Sequence, residues 1–417
     1  MTADGRNVRR LVLLSRDSDL ESLELTDALD CLDDGGTSWL VSDRARRAGD
    51  VLRRRDRYAG SVRRRDVAAY SRFRLSTLYE HRHRSRDLAV EFERSHERAE
   101  AGKDAADPSG HVRVAGRRAP APLRAYRRMR LLKSVPLHED LLRAVGEARP
   151  DLVVLPFSEA DDLVTDAVRC CDALDVPTLM VYVRHEARHG DVLDPRPLEE
   201  ALAVPPTRVA VWGEAGRDRL ATTLGLEDER IALLGAPSFD TLFEESANAV
   251  SADVIAFIAS GKERRGDGSP AGLVRAAADE LVSGLEVVEL ERKARRAERL
   301  ALIARARVVV SRSPACVLES AATERPHLLL AFSGKERGYR RLQGVDLLQG
   351  VEVCKRPEDI ARTLAKLLEW RQAPPNSLRK DIRYWIHHDD RSYGERLVAL
   401  ADELVLESSR RPAAVTS

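Results

Sequence analysis

Long apolar runs, paired metal-binding cysteines and net charge are what this chain has little of. No stretch of its 417 residues approaches the run of roughly 18 apolar residues that a membrane-spanning helix needs, so no integral membrane protein is expected. The apolar run in the N-terminal MTADGRNVRRLVLLS is too short for a secretory signal. A cytoplasmic protein is expected, at most peripheral at the inner face of a membrane. The five cysteines (Cys31, Cys170, Cys171, Cys316, Cys354) form no C-x-x-C pair and stand among apolar neighbours. That pattern fits buried thiols in a reducing compartment, not a disulfide framework. No clustered Cys/His ligand set stands out, so no structural zinc is expected.

The formal net charge is only +1, but it is unevenly spread. Asp43 to Arg130 holds 25 Lys and Arg against 12 Asp and Glu, a surplus of 13, so the remainder of the chain carries −12. One segment is basic and everything else is acidic.

What is present is a regular alternation of apolar strands and amphipathic helices, in a chain long enough for two domains. Asn7 to Ser15 reads as a strand, and Asp17 to Leu32 as a helix with Leu20, Leu23, Leu29 and Leu32 at helical spacing. Ser38 to Ser42 is a second strand. From Asp43 to Arg130 the alternation breaks, and an Arg-rich composition with a loose apolar stripe predicts an insert of two or three helices. The pattern resumes with a helix at His138 to Ala148, strands at Asp151 to Pro156 and Pro177 to Val183, and a helix between them at Asp161 to Leu174. A second series opens at Asp253. Its strands are Asp253 to Ser260, Leu285 to Leu290, Arg307 to Ser311, Pro326 to Phe332 and Val351 to Cys354. Arg379 to Leu406 reads as a long final helix with room for a break at His387 to Ser392. The expectation is an α/β protein of two Rossmann-like domains facing a cleft, at 1–250 and 251–406, with 407–417 a disordered tail. The cleft is the default ligand site.

The segment Arg208 to Asp240, RVAVWGEAGRDRLATTLGLEDERIALLGAPSFD, packs strand, helix and strand into about 30 residues, a βαβ unit. Its order of strand, W-G, helix, R-I, strand and G-A-P-S-F-D resembles the end of the N-terminal domain in GT-B-fold transferases. It most resembles the surface-polysaccharide and CDP-glycerol glycerophosphotransferase-like group. Trp212, Pro237 and Phe239 themselves read as packing and hinge residues. The resemblance spans about Asp151 to Leu400 and leaves the basic insert outside. It implies a GT-B-like fold, a C-terminal helix that crosses back onto the N-terminal domain, a donor nucleotide on the C-terminal domain and an acceptor on the N-terminal one.

Five stretches could carry chemistry. Ser311-Arg312-Ser313-Pro314 ends a buried strand and starts a helix. Ser313 suits the N-cap and Pro314 the first turn, and the helix start favours a diphosphate. Glu319, in the second turn, could reach a ribose hydroxyl; this is similar to the GT-B pattern of strand, Ser-Ser or Thr-Ser, then helix with Glu. Arg184 to Gly190 follows a strand, where His185 or His189 could serve as base or charge stabiliser with Glu186 or Asp191 orienting it. A polar surface loop is the plainer reading there. Ser158 and Glu159 would sit on the cleft rim, or simply cap the next helix. Lys262 and Arg264, in a glycine-flanked basic loop, could touch phosphates, although the P-loop spacing is absent. His387-His388-Asp389-Asp390 invites a metal, but adjacent residues on a helix diverge.

These readings lead to a transferase that moves a glycosyl or glycerophosphoryl group from a nucleotide-sugar or CDP-glycerol-like donor to a surface-polymer or lipid-linked acceptor. The donor is a substrate and no cofactor is expected. Against it stands Glu291-Arg292-Lys293 after the LEVVEL strand, where glycerophosphotransferase relatives carry an R-P-H-P-like segment. That departure favours a catalytically silent GT-B scaffold as the alternative, with a sugar-nucleotide epimerase of the same fold as a third reading. For the basic insert, solvated helices are the leading expectation, then an anionic membrane or lipid-linked acceptor, with nucleic acid last.

Overall fold

The structure, a computed structural model, describes residues 8–34, 36–55, 58–63, 137–157, 162–183, 205–224, 226–248, 253–259, 268–282, 284–290, 296–332, 348–370 and 382–410. Most of the basic segment therefore lies outside the described residues.

Seven parallel strands form the first sheet: β1 (Arg10–Leu14), β2 (Thr37–Ser42), β3 (Tyr58–Val62), β4 (Leu152–Phe157), β5 (Thr178–Tyr182), β6 (Arg208–Val211) and β7 (Ile231–Leu233). Their spatial order is β3-β2-β1-β4-β5-β6-β7. The connecting helices are α1 (Asp17–Leu23), α2 (Ala28–Asp34), α3 (Arg46–Leu52), α4 (Glu139–Ala148), α5 (Asp162–Ala173) and α6 (Glu214–Leu224), and α7 (Pro237–Asn248) leads out of the sheet. The second sheet has five parallel strands: β8 (Val254–Ile258), β9 (Glu286–Leu290), β10 (Val308–Ser311), β11 (His327–Leu330) and β12 (Val351–Cys354). Its order is β12-β11-β10-β8-β9. Helices α8 (Pro270–Leu281), α9 (Arg296–Arg305), α10 (Pro314–Ala322) and α11 (Ile360–Leu368) flank it, and α12 (Tyr393–Arg410) ends the described chain.

These are two doubly wound Rossmann-like sheets. Their central strands are uninterrupted apolar runs because helices cover both faces; β1, β4 and β5 are buried along their whole length. Each sheet has one point where the strand order reverses, between β1 and β4 in the first and between β8 and β10 in the second. Crevices at the carboxyl ends of strands beside such points are where α/β sheets hold ligands. One apolar core runs from a face of the first sheet through α7, α9 and α10 to a face of the second. Separate cores fill the remaining faces, and α12 supplies Tyr393, Leu397, Ala401 and Leu404 to that of the first sheet. The C-terminal helix thus crosses back onto the N-terminal domain.

The helix expected over Asp17 to Leu32 is two helices. The chain turns at Asp27 because that carboxylate serves another segment: it accepts from the Gly394 amide at 3.1 Å and the Ser392 hydroxyl at 2.5 Å, at the start of α12. The expected helical insert opens with a helix, α3, but continues into β3, an edge strand whose alternating exposure marks it as such. Gly60, at φ +135, adopts a geometry open to glycine. The final helix starts at Tyr393, directly after the break allowed for at His387 to Ser392, and residues 382–392 before it form an irregular crossing segment where helix was expected. It also runs on to Arg410, into the stretch expected to be a disordered tail.

Candidate functional site

At the switch point of the second sheet, β10 ends on Ser311, which is fully buried. The next three residues turn the chain into α10. Ser313 is extended, at φ −112 and ψ 120, and Pro314 occupies the first helical turn, as the sequence predicts. The Ser313 hydroxyl does not cap the helix. Ser311 organises the turn instead. Its Oγ accepts from the Ser313 amide at 3.2 Å and donates to the Ser313 carbonyl at 3.0 Å. The Cys316 amide closes onto the Ser313 carbonyl at 3.1 Å. Fewer amides therefore point outward than the sequence pattern suggests, although the positive end of the helix dipole remains.

Glu319 stands one turn further along α10. It is 5% exposed, not the solvated residue that a helix surface would give. Arg299 Nη2 on α9 donates to Glu319 Oε1 at 2.5 Å. Glu319 Oε2 has no hydrogen-bond partner among the described residues. A carboxylate oxygen held in place and unpartnered is a ready acceptor for a hydroxyl donor. Burial pushes the neighbouring Cys316 thiol up to about 12, and the Glu319 carboxylate adds to the effect. Cys316 is therefore a neutral packing group and no nucleophile. The role of His327 and Ser320 beneath this turn was not anticipated from sequence. His327 opens the PHLLLAF run and reads as one more strand residue; only a histidine inside an apolar strand hinted at a polar connection.

Among the donor-side residues, Ser311, Ser313 and Glu319 come together here, with Ser311 and Glu319 buried and Ser313 at the turn. Lys262 and Arg264 lie outside the described residues, as do His185, Glu186 and His189 after β5, and Ser158 and Glu159 after β4. The His387 segment is not helical, and among the described residues no group of three or more His, Cys, Asp or Glu side chains gathers there. The His388 ring packs 4.5 Å from that of Phe243, and Asp389 pairs with Arg391 at 2.7 Å.

The W-G and G-A-P-S-F-D residues meet elsewhere, in a seam against the crossing segment. The Trp212 carbonyl accepts from the His387 amide at 2.5 Å, and the Ala215 amide donates to the Tyr384 carbonyl at 2.8 Å. A Cβ on Gly213 would stand 2.5 Å from the Trp385 carbonyl carbon, so only glycine admits this approach. Gly235, at φ +85, is left-handed and faces the His387 carbonyl. Trp212 packs between Tyr182 and Phe239, with ring centroids 5.6 and 5.7 Å away. Asp240 is gripped by Arg396 of α12 at 2.8 and 3.0 Å. The motif is a binding seam for the crossing segment and the start of α12.

No protein-family model matches the chain, and no curated protein does. Solved structures match over nearly its whole length. A putative UDP-N-acetylglucosamine 2-epimerase from Listeria monocytogenes aligns at a TM-score of 0.53 and 10% identity, over 98% of this chain and 99% of that one. The UDP-GlcNAc 2-epimerase from Neisseria meningitidis bound to UDP-GlcNAc aligns at 0.52 and 9%, over 97% and 100%. That from Methanocaldococcus jannaschii aligns at 0.50 and 11%, over 94% and 99%. At such identities the likeness concerns the fold, two Rossmann-like domains of GT-B type.

Proposed function

We propose that this chain binds a nucleotide-diphosphate sugar on its C-terminal domain and transfers the activated group to an acceptor seated on the N-terminal domain. The observation that carries this reading is Glu319, a buried carboxylate at the switch point with Oε1 fixed by Arg299 and Oε2 unpartnered among the described residues. A ribose presents hydroxyl donors to such an oxygen, and the adjacent start of α10 favours the diphosphate charge that grows as the leaving group departs. His185 or His189, with Glu186, is the proposed acceptor-side base, and Lys262 and Arg264 the proposed phosphate contacts. The neighbour described as bound to UDP-GlcNAc makes a uridine nucleotide the first donor to test. The finer reading, a CDP-glycerol donor and a lipid-linked acceptor met through the basic insert, is supported by the resemblance of Arg208 to Asp240 and the charge surplus.

Calorimetric titration with UDP, CDP and GDP tests the site. One of them should bind, and Glu319→Gln should weaken it at least tenfold, about 1.4 kcal/mol. Equal affinity in the variant removes Glu319 from the site. A second reading, sugar-nucleotide epimerisation, is favoured by the epimerase structures that share the fold. It separates cleanly: incubation with UDP-GlcNAc and no acceptor yields an epimer if the chain is an epimerase, and no new sugar nucleotide if it is a transferase.

A further inference from the structure

His327, Ser311 and Ser320 are each fully buried and form a three-residue chain beneath the proposed donor site. His327 lies at the start of β11. Its Nε2 stands 3.0 Å from Ser311 Oγ at the end of β10, and its Nδ1 stands 2.7 Å from Ser320 Oγ on α10. One ring therefore ties together the adjacent strand, the helix and the turn between them.

The proton count leaves two ways for this chain to run. A neutral imidazole has one N–H and each hydroxyl has one proton. If Nδ1 carried the proton, Ser320 would receive it and Ser311 would have to donate to Nε2. The Ser313 carbonyl would then lose the Ser311 proton that it accepts at 3.0 Å. If Nε2 carries it, His327 donates to Ser311, Ser311 donates to the Ser313 carbonyl, and Ser320 donates to Nδ1. That choice gives up the 3.0 Å contact from Ser320 to the Val317 carbonyl, and the two losses are equivalent, since the helical ladder serves Val317 and the Cys316 amide serves Ser313. The lengths select the second, since 2.7 Å at Nδ1 suits a hydroxyl donor and 3.0 Å at Nε2 an N–H donor. Burial also holds the ring neutral, with its pKa pushed down to about 3.

We propose that His327 is a positioning residue for the donor site: its Nε2–H, with the ring clamped from behind by Ser320, sets Ser311 and through it the Ser311–Ser313 turn that presents α10 to the nucleotide. This rests on the nucleotide reading given above. The two arms of the ring can be separated by substitution. A glutamine amide places an N–H donor near the Nε2 position and can keep the arm to Ser311. An asparagine carbonyl takes the place of Nδ1 and keeps only the arm to Ser320.

UDP binding by calorimetry and melting temperature should be measured on the full chain as wild type, His327→Gln and His327→Asn. The expected result is a similar loss of melting temperature in both variants, with affinity within threefold of wild type for Gln and at least tenfold weaker for Asn. Affinity that is unchanged in both, or that falls in both in step with stability, overturns the proposal. Nitrogen-15 spectra of histidine-labelled wild-type protein give a readout that needs no variant and no nucleotide. A neutral ring protonated at Nε2 supports the relay, and an Nδ1-protonated ring overturns it. If wild type binds no UDP, the uridine-nucleotide reading fails by itself, and the histidine spectrum alone decides whether His327 holds the turn.

Discussion

The seam around Gly213, Gly235 and Asp240 and the turn around Ser311, Glu319 and His327 both lie at sheet ends, yet polar groups do different work in them. In the seam the buried charges are paired with one another, although the Ser238 and Tyr393 hydroxyls have no hydrogen-bond partner among the described residues. Arg396, 3% exposed, spends its guanidinium on Asp240, the Leu234 carbonyl and the Arg391 carbonyl. In the turn, Glu319 keeps an oxygen in reserve. Satisfied buried networks fix a fold, whereas a buried polar atom left over in an ordered setting calls for a partner. The recognisable motif thus closes its charges on one another, whereas the less conspicuous S-R-S-P-A-C-V-L-E run leaves a buried carboxylate oxygen open.

The contrast can be broken by substitution. The largest effect should come from Asp240→Ala or Arg396→Ala, each stranding a buried charge at a cost of about 3–5 kcal/mol. Urea unfolding measures it, and the double variant should cost much less than the sum of the two singles. Nucleotide affinity of the folded fraction should stay at the wild-type value. Gly213→Ala, forcing Cβ into the Trp385 backbone, should cost about 1–3 kcal/mol in the same assay. A loss of nucleotide affinity in these variants with stability intact would erase the distinction between the two regions.

His327 gives an effect on the turn side that depends on pH. Its folded pKa of about 3 lies below the ordinary 6.5. Between those values the unfolded chain binds the proton and the folded chain does not. Its contribution is therefore fully present above about pH 6.5 and is lost as pH falls towards 3. His327→Gln should flatten the stability profile in that window, measured by urea midpoints against pH. The smallest effect is expected for Ser313→Ala. A capping serine is worth about 1 kcal/mol, but this hydroxyl makes no cap bond, so the loss should stay below about 0.5 kcal/mol.

Much of this architecture was legible in the sequence, for a physical reason. Strands covered on both faces must be apolar throughout, so LVLL, DLVVLP and RVVVS announce themselves. Where the reading failed, a distant segment decided the outcome. The helix over Asp17 to Leu32 breaks because Asp27 binds the start of α12, and nothing local in the sequence carries that contact. The final helix starts late because its first residues form backbone bonds to the seam. Tyr58–Val62 joined the sheet although its arginine-rich surroundings read as helix. At the turn, the Pro start and the Glu319 position followed from local rules. The capping role given to Ser313 did not hold, because Ser311, supported by His327 from the next strand, holds the turn.

The most direct test of the account is a titration of UDP into wild type and Glu319→Gln, with melting temperatures measured in parallel. Gln can still accept from Arg299, but it presents an amide N–H where Glu319 has its unpartnered oxygen. The account predicts binding by wild type, at least tenfold weaker binding by the variant, and nearly equal melting temperatures. Equal binding by both proteins, or a variant that loses stability and affinity together, would contradict it.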